Sequence, residues 1–414
     1  MLSGSIPSSL GSLADVTYIA LYSNALTGTI PSSFGALNQL VVLEITNNML
    51  TGSIPSIWGS LTQLDHFALA TNFLTGSVPS SLGSMSQVLA VILDNNLLTG
   101  SVPSNLRFLH HLQVLSLNNN KLSGSFSTDF KLAISTSDID IAFNFLTGEF
   151  PITLIPIKIE HLYINANQFT GTLPSALGTF SDMSILDVSD NLFSGTLPIS
   201  LGDMTSLELL VVASNSFVGE LDSVFSPHIV TLDLSNNGFT GSLPMTLFDS
   251  TALETFVGAR NCFGGTLSSD LCNAVNLKTL DLSGMTAGDR CSVRYGALGL
   301  DFYTVSYVDG DIPACLLSMP ELAALYLSGN GIKSKLVNVS TNSKLVNISL
   351  SHNRISGTIP LALQERQTMH SLDLAFNRLS GGITSMTAYT TSPLSSGSVN
   401  GSYISLDLES NRLS

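Results

Sequence analysis

Apolar and polar residues alternate over short stretches of this chain, and the stretches return at a fixed interval. In the stretch from Val16 to Pro31, Ile19 and Leu21 are the alternating apolar positions, and this period of two predicts a short β-strand. An asparagine follows each of the first six stretches at intervals of 24 residues, at Asn24, Asn48, Asn72, Asn96, Asn120 and Asn144. The pattern predicts a repeat protein in which every unit contributes one strand.

The asparagine series continues almost to the last residue. It continues at Asn167, Asn191, Asn215, Asn237 and Asn261 with small departures from the 24-residue interval. Met285 stands in place of the next asparagine, and the series resumes at Asn330, Asn353, Asn377 and Asn411. About sixteen repeats therefore span the sequence. We expect each asparagine amide to satisfy backbone groups of the turn that follows its strand.

Two other positions recur with the asparagine. A glycine four residues later, first at Gly28, predicts a bend with positive φ. An apolar residue two positions after the asparagine is leucine in the early repeats and becomes phenylalanine at Phe169, Phe193, Phe217, Phe239 and Phe263. We expect these rings to stack in one interior column, because a single repeat cannot bury its own apolar face.

The combined pattern L-x-x-L-x-L-x-x-N-x-L-[TS]-G-x-[IVL]-P resembles the plant-type extracellular leucine-rich repeat over essentially the whole chain. The family includes ectodomains of receptor-like kinases and receptor-like proteins, and polygalacturonase-inhibiting proteins are similar. The resemblance implies a leucine-rich-repeat solenoid, a curved right-handed superhelix with a parallel sheet on the concave face. Irregular or short 3-10 arcs would form the convex face. The proline position departs from the pattern at Ser127, Asp222, Ser268, Val337 and Thr384, and the glycine position at Ser334.

The repeat pattern divides the chain into three parts. Residues 1–285 are predicted to be leucine-rich repeats, 286–310 an inserted island loop, and 311–414 further repeats with a Ser/Thr-rich insertion near 384–403. Both ends fall inside a repeat, so we expect a fragment that is truncated at its N- and C-termini. A signal peptide, a membrane anchor or a kinase domain would then lie outside this sequence.

The composition excludes several classes of protein. Hydrophobic residues make up 44% and charged residues 11%, which is not the composition of a disordered chain. The net charge of −15 disfavours contact with nucleic acid or anionic membranes. Residues 1–259 hold 19 acidic and 4 basic residues, whereas residues 260–414 hold 11 of each. This asymmetry favours basic partners for the first part, or serves solubility alone.

Acidic and aromatic residues coincide with the predicted concave strands of repeats six to eleven. They predict a binding strip for a basic peptide or protein, with carboxylates supplying charge and rings supplying area. The alternative is that such acids belong to the ordinary Leu-Asp-Leu-Ser repeat pattern. The predicted ligand-binding residues are Asp138, Asp140, Phe143, Glu160, His161, Tyr163, Asp187, Asp190, Glu208, Asp233 and Glu254.

The island loop carries a second candidate surface. Its residue types are those enriched at interface hot spots, and its position four repeats before the end is similar to the ligand-binding island of some plant receptors. The alternative is an ordered surface loop without a binding role. The candidate residues are Arg290, Arg294, Tyr295, Phe302, Tyr303 and Tyr307.

The four cysteines surround the island loop and predict disulfides rather than a zinc site, because no C-x-x-C pair is present. We expect Cys272 to pair with Cys315 and Cys262 to pair with Cys291, one of three possible connectivities. Glycosylation triplets occur at Asn338, Asn347 and Asn400, which is consistent with secretion.

No motif for phosphate, dinucleotide or metal-assisted chemistry is present, and the histidines, including His161 and His352, are interpreted as isolated surface residues. An open sheet provides no dry pocket for a catalytic pair. We therefore expect no enzymatic activity, no metal and no cofactor in this fragment.

These observations predict an extracellular or cell-surface recognition module, the ligand-binding part of a membrane receptor-like protein with a signalling role. Its ligand would be a peptide or protein of basic character, with a co-receptor as a further possible partner. Two alternatives stay open: a secreted inhibitor of a cell-wall-degrading enzyme and a structural or adhesive surface protein.

Overall fold

The computed structural model describes residues 1–127, 130–152, 155–221, 225–285, 308–337, 339–340, 343–366, 368–383 and 405–413. The chain forms two compact units: Met1–Ser194 with Asp203–Leu207, and Gly195–Gly202 with Glu208–Ser414. Each unit contains eight of the predicted strands.

The first unit contains a parallel sheet in which each strand pairs with the strand of the next repeat. Each strand has three residues, and the central one is directed into the interior. The strands are β1 Tyr18–Ala20, β2 Val42–Glu44, β3 His66–Ala68, β4 Ala90–Ile92, β5 Val114–Ser116, β6 Asp138–Asp140, β7 His161–Tyr163 and β8 Ile185–Asp187.

The second unit repeats the same arrangement with eight parallel strands in chain order. The predicted leucine-rich-repeat solenoid with one strand per repeat is confirmed. The strands are β9 Leu209–Val211, β10 Thr231–Asp233, β11 Thr255–Val257, β12 Thr279–Asp281, β13 Ala324–Tyr326, β14 Asn347–Ser349, β15 Ser371–Asp373 and β16 Ser405–Asp407.

Short strands follow most of the repeat asparagines, occur also at Ser3–Ser5 and Val308–Asp309, and pair in smaller parallel sheets. They are Ser3–Ser5, Ala25–Thr29, Met49–Ser53, Phe73–Thr75, Thr99–Gly100, Lys121–Gly124, Phe145–Glu149, Gln168–Thr170, Ser194–Gly195, Ser216–Glu220, Gly238–Thr240, Gly265–Thr266, Val308–Asp309, Ser356–Gly357, Arg378–Gly381 and Arg412–Leu413.

The arcs that return to the next strand contain 3-10 helices, as predicted. Most begin directly after the repeat proline, whose fixed φ suits a helix start. Ser268 replaces this proline in one repeat, and its hydroxyl instead accepts a hydrogen bond from the Asp270 N–H at 3.2 Å. Within the described ranges, the 3-10 helices are Ser8–Ser12, Ser32–Ala36, Ser56–Ser60, Ser80–Ser84, Ser104–Phe108, Ser175–Thr179, Ile199–Asp203, Met245–Asp249, Ser269–Asn273 and Leu316–Ser318, and an α-helix covers Leu361–Gln364.

The repeat asparagines are buried and joined to the backbone, as the sequence predicts. The amide of Asn72 donates to the carbonyls of Ile45 at 3.0 Å, Leu69 at 3.1 Å and Ala70 at 3.2 Å. Its Oδ1 accepts from the Leu50 N–H at 3.0 Å. One side chain therefore ties its own turn to the preceding repeat.

The residue immediately before the asparagine adopts positive φ in repeat after repeat, which the sequence analysis did not anticipate. Examples are Ser23, Phe143 and Asp190, with φ between 50° and 54°. The predicted bend at the repeat glycine is also present, with φ of 80° at Gly52. A Cβ there would lie 2.8 Å from the Thr29 side chain, so the position needs glycine for conformation and for space.

Aromatic rings fill the interior of both units. Within the second unit, the centroids of Phe217 and Phe239 lie 6.2 Å apart, and Phe239 and Phe263 follow at 6.3 Å in nearly parallel stacks. Within the first, Phe169 stacks on Phe193 at 6.5 Å. The predicted stacking is thus confirmed inside each unit.

Repeat pairing resumes earlier after the island loop than the sequence predicted. Val308 and Asp309 pair with Gly265 and Thr266, and Val308 is buried in the interior. Residues 308–310 therefore belong to a repeat, because Val308 and Gly310 occupy the leucine and glycine positions. The alignment from the asparagines alone missed this match because Met285 interrupts the series.

Candidate functional site

The sheet of the first unit presents two rows of side chains to solvent. The pairing places Asp138 beside His161, and Tyr163 between Asp140 and Asp187. The central residues of the same strands, such as Leu162, are buried. Neighbouring repeats therefore contribute to one polar surface, which we call the acidic cluster. It comprises Asp94, Asn118, Asp138, Asp140, His161, Tyr163 and Asp187.

Asp140 lies at the centre of the acidic cluster and is half-buried. It accepts hydrogen bonds from the Asn118 amide at 2.5 Å and from the Ala142 N–H at 3.1 Å. Burial raises the pKa of Asp140 above its usual value, and the charges of Asp94 and Asp187 raise it further, against the lowering effect of the two hydrogen bonds. A cation placed here would stabilise the carboxylate.

Tyr163 adds an aromatic surface and a hydrogen-bond donor between two carboxylates. Burial raises the pKa of its hydroxyl, and the negative charges of Asp140, Asp187 and Asp138 raise it further. The hydroxyl therefore stays protonated and can donate to a ligand acceptor.

His161 and Asp138 form a pair that the sequence analysis missed. Nδ1 of His161 lies 2.5 Å from Oδ1 of Asp138, and the Ser137 hydroxyl donates to the other carboxylate oxygen. The interpretation of His161 as isolated is wrong, because the parallel register brings Asp138 beside it. His352 is also not isolated, since its ring stacks on Phe376 at 4.3 Å.

Serine groups donate hydrogen bonds to Asp187 and Asp94, two further acids of the cluster. Asp187 accepts from the N–H of Ser189 at 2.9 Å and from its hydroxyl at 2.6 Å. Asp94 accepts from the Ser116 hydroxyl at 3.1 Å. The sequence analysis passed over Asp94 and Asn118, although both lie two residues before a repeat asparagine and could have been found by counting back from it.

Comparisons with known proteins agree with this architecture. The family model described as Leucine Rich Repeat matches residues 39–61, 111–132, 158–180, 228–249 and 344–365. These five segments are leucine-rich repeats, in agreement with the leucine-rich-repeat solenoid described above. Over 56 residues, 14% of the chain and 7% of the relative, it is 39% identical to Protein STRUBBELIG-RECEPTOR FAMILY 3 of Arabidopsis thaliana.

Solved receptor structures, two of them ectodomains of plant receptor kinases, match almost the whole chain. The ectodomain of GASSHO1/SCHENGEN3 from Arabidopsis thaliana, in complex with CASPARIAN STRIP INTEGRITY FACTOR 2, matches with a TM-score of 0.86 and 27% identity over 99% of this chain and 46% of that one. A TDR receptor matches with a TM-score of 0.81 and 28% identity over 99% of this chain and 66% of that one. The Arabidopsis HAESA ectodomain with an IDA peptide hormone matches with a TM-score of 0.80 and 27% identity, covering 100% and 69%. The chain thus spans less than half of the GASSHO1 ectodomain.

Several predicted site residues of the leucine-rich repeats lie beside the strands rather than within them. Phe143 and Asp190 occupy the positive-φ position after β6 and β8, and both are exposed. Glu160 immediately precedes β7. These three residues therefore border the acidic cluster.

In the second unit, the predicted acids have different surroundings. Asp233 ends β10 and accepts from the Ser235 N–H at 2.9 Å, whereas Glu208 is an exposed residue that precedes β9. Glu254 forms a salt bridge with Lys278 at 2.6 Å, which partly neutralises its charge. The pair weakens the case for Glu254 as a ligand contact.

The predicted disulfide between Cys272 and Cys315 is confirmed, with 6.1 Å between the Cα atoms. Cys262 is also disulfide-bonded. Its predicted partner Cys291 lies outside the described residues, as do the six aromatic and arginine candidates of the island loop and two of the glycosylation triplets, Asn338 and Asn400. Asn347 begins β14 with its side chain half-exposed.

Within the described ranges, no helix is long and apolar enough to cross a membrane. The same part of the chain contains no group of three or more potential metal ligands.

Proposed function

We propose that this chain is an extracellular ligand-binding module of a receptor-like protein, and that the acidic cluster binds a basic peptide or protein segment without catalysing a reaction. The similarity to ectodomains whose structures contain CASPARIAN STRIP INTEGRITY FACTOR 2 or an IDA peptide hormone supports the general role. Those ligands belong to those proteins, and the basic character proposed here comes from the residues of the cluster.

The observation that carries the proposal is the placement of Asp140, Tyr163 and Asp187 side by side on β6, β7 and β8. Burial, and to a smaller extent repulsion by the charges of Asp94 and Asp187, disfavours the charged carboxylate of Asp140 and raises its pKa. An arginine or lysine would offset that repulsion, and the Tyr163 ring would contact its aliphatic part.

The strand spacing limits the ligand further. Asp140 and Asp187 are two strands apart, which corresponds to roughly 10 Å. A peptide in the polyproline II conformation advances about 3.1 Å per residue and returns to the same face every three residues, so basic residues three positions apart would reach both carboxylates. We propose this spacing as the recognition feature.

The test compares two labelled peptides, Ser-Arg-Ser-Ser-Arg-Ser and Ser-Arg-Arg-Ser-Ser-Ser, by fluorescence polarisation at low ionic strength. We expect the first to bind more tightly, and we expect the variant Asp140→Asn/Asp187→Asn to weaken its binding about tenfold. The matched control Asp15→Asn/Asp182→Asn removes the same charge from exposed turn residues of the first unit. It should bind like the parent chain.

Equal loss in the control variant would show that net charge alone attracts the peptide and would overturn the proposed site. Equal affinity for the two peptides would overturn the proposed spacing. Thermal unfolding of both variants, followed by circular dichroism, would verify that they remain folded.

A further inference from the structure

Arginine follows the repeat asparagine in three consecutive repeats of the second unit. The asparagines Asn353 and Asn377 are buried, whereas Arg354, Arg378 and Arg412 are all exposed. We call these three arginines, together with Lys333 and Lys335, the basic edge.

Backbone pairing brings the members of the basic edge onto neighbouring strands. Arg378 pairs with Ser356, and Arg412 pairs with Ser380. Lys335 forms a β-bridge with the same Ser356. The positive charges are therefore repeated from strand to strand along one small sheet, and not scattered over the surface.

The charges of Arg378 and Arg412 are not neutralised within the described part of the chain, where no carboxylate lies within salt-bridge distance of either. Two acids of these repeats, Asp373 and Asp407, lie on the main sheet. Asp373 accepts from the Ser349 hydroxyl at 2.8 Å, and Asp407 accepts from the Glu409 N–H at 3.0 Å. Arg378 and Arg412 therefore keep their positive charge.

A ring pair lies close to the arginines of the basic edge along the chain. His352 and Phe376 precede the asparagines of two successive repeats, and their rings stack at 4.3 Å with an interplanar angle of 25°. Phe376 is 41% exposed and lies two residues before Arg378 in the chain. An exposed ring next to arginines is the combination enriched at protein interfaces.

We propose that the basic edge and the Phe376 ring bind an acidic peptide segment of a partner protein that carries one apolar residue. Arginine pairs with carboxylates in a bidentate manner, and the ring provides an apolar contact that a purely ionic ligand would not use. This proposal goes beyond the function proposed above, because the basic edge lies in the second unit and would bind ligands of negative rather than positive charge. A carboxylated polysaccharide is the competing ligand, and the ring pair is the reason for preferring a peptide.

The experiment uses the whole chain and labelled peptides, Asp-Asp-Phe-Ser-Asp-Asp and the same peptide with serine in place of phenylalanine. We expect the phenylalanine peptide to bind with a dissociation constant below about 1 mM at low salt and more weakly at high salt. The variant Arg378→Glu/Arg412→Glu should weaken binding at least about tenfold. Phe376→Ala should remove the preference for the phenylalanine peptide.

A matched control is Lys131→Glu/Lys158→Glu, which makes the same charge change at exposed positions of the first unit. This variant should bind the acidic peptide like the parent chain. The variant Asp140→Asn/Asp187→Asn should do the same, so that the proposals for the acidic cluster and for the basic edge are tested independently. No binding at 1 mM peptide, or equal loss in the lysine control, would overturn the proposal. Tighter binding of an oligogalacturonate with no effect of Phe376→Ala would also overturn it, in favour of a polysaccharide.

Discussion

At the scale of single residues, the buried asparagine is the chemical basis of the repeat. Its planar amide offers two donors and an acceptor on a short side chain, which is what the turn after each strand requires. At Asn72 these groups engage three carbonyls and one N–H across two repeats. An aliphatic residue of similar size would leave those backbone groups buried without partners.

We therefore expect Asn72→Ala to lower the free energy of unfolding by about 3 kcal/mol, because buried polar groups lose their partners. The buried Trp58, the single tryptophan of the chain, lies in the same repeat and can report urea unfolding by fluorescence. Asn38→Ala is the control, since Asn38 is exposed, and it should change stability by less than about 0.5 kcal/mol. Equal effects of the two substitutions would contradict the role assigned to the asparagine.

For the candidate site, the sequence predicted which side chains face solvent but not which of them contact each other. Asp138 and Asp140 alternate around Ile139, so their solvent-facing positions follow from the period of two. The contact between His161 and Asp138 depends instead on strand register, which a one-residue slip in repeat length could have changed. The repeat from Asn144 to Asn167 is one residue short, and the shortening falls in the arc rather than in the strand.

At the scale of elements, the close packing of the early arcs depends on a second series of glycines. Gly11, Gly35, Gly59 and Gly83 lie within successive 3-10 helices, and a Cβ at Gly83 would fall against the carbonyl oxygen of Asn105 in the next arc. The sequence analysis used only the positive-φ glycines and missed this series. The requirement is steric contact between repeats, which hydrophobic periodicity does not reveal.

We expect Gly83→Ala to lower the free energy of unfolding by about 1–3 kcal/mol, because the added methyl group must push two arcs apart. Ser84→Ala lies in the same 3-10 helix on an exposed position and serves as the control. Urea unfolding monitored by Trp58 fluorescence would measure both variants. A Gly83→Ala chain as stable as the control would show that the arcs can separate freely.

At the scale of the whole molecule, the sequence predicted the strand series because every repeat meets the same requirements. The strand pairing after the island loop was not predicted, because Met285 interrupts the asparagine series. Val308 pairs there with Gly265, which is 43 residues earlier in the chain. The division into two compact units was likewise not predicted, since the repeat pattern continues unchanged through Ser194.

A repeat architecture of this kind predicts that whole repeats can be removed but half repeats cannot. Deleting Phe73–Asn96 joins Asn72 to Leu97 and keeps the order of strand, asparagine, glycine and 3-10 helix. We expect this variant to fold and to unfold cooperatively in urea, with an m-value reduced roughly in proportion to the lost surface.

Deleting only Phe73–Ser84 removes the small-sheet strand and the 3-10 helix but leaves the next main-sheet strand, so the interior columns cannot align. That variant should lose the cooperative transition reported by Trp58. If the half-repeat deletion were as stable as the whole-repeat deletion, stacking of equivalent positions would not be what holds these repeats together.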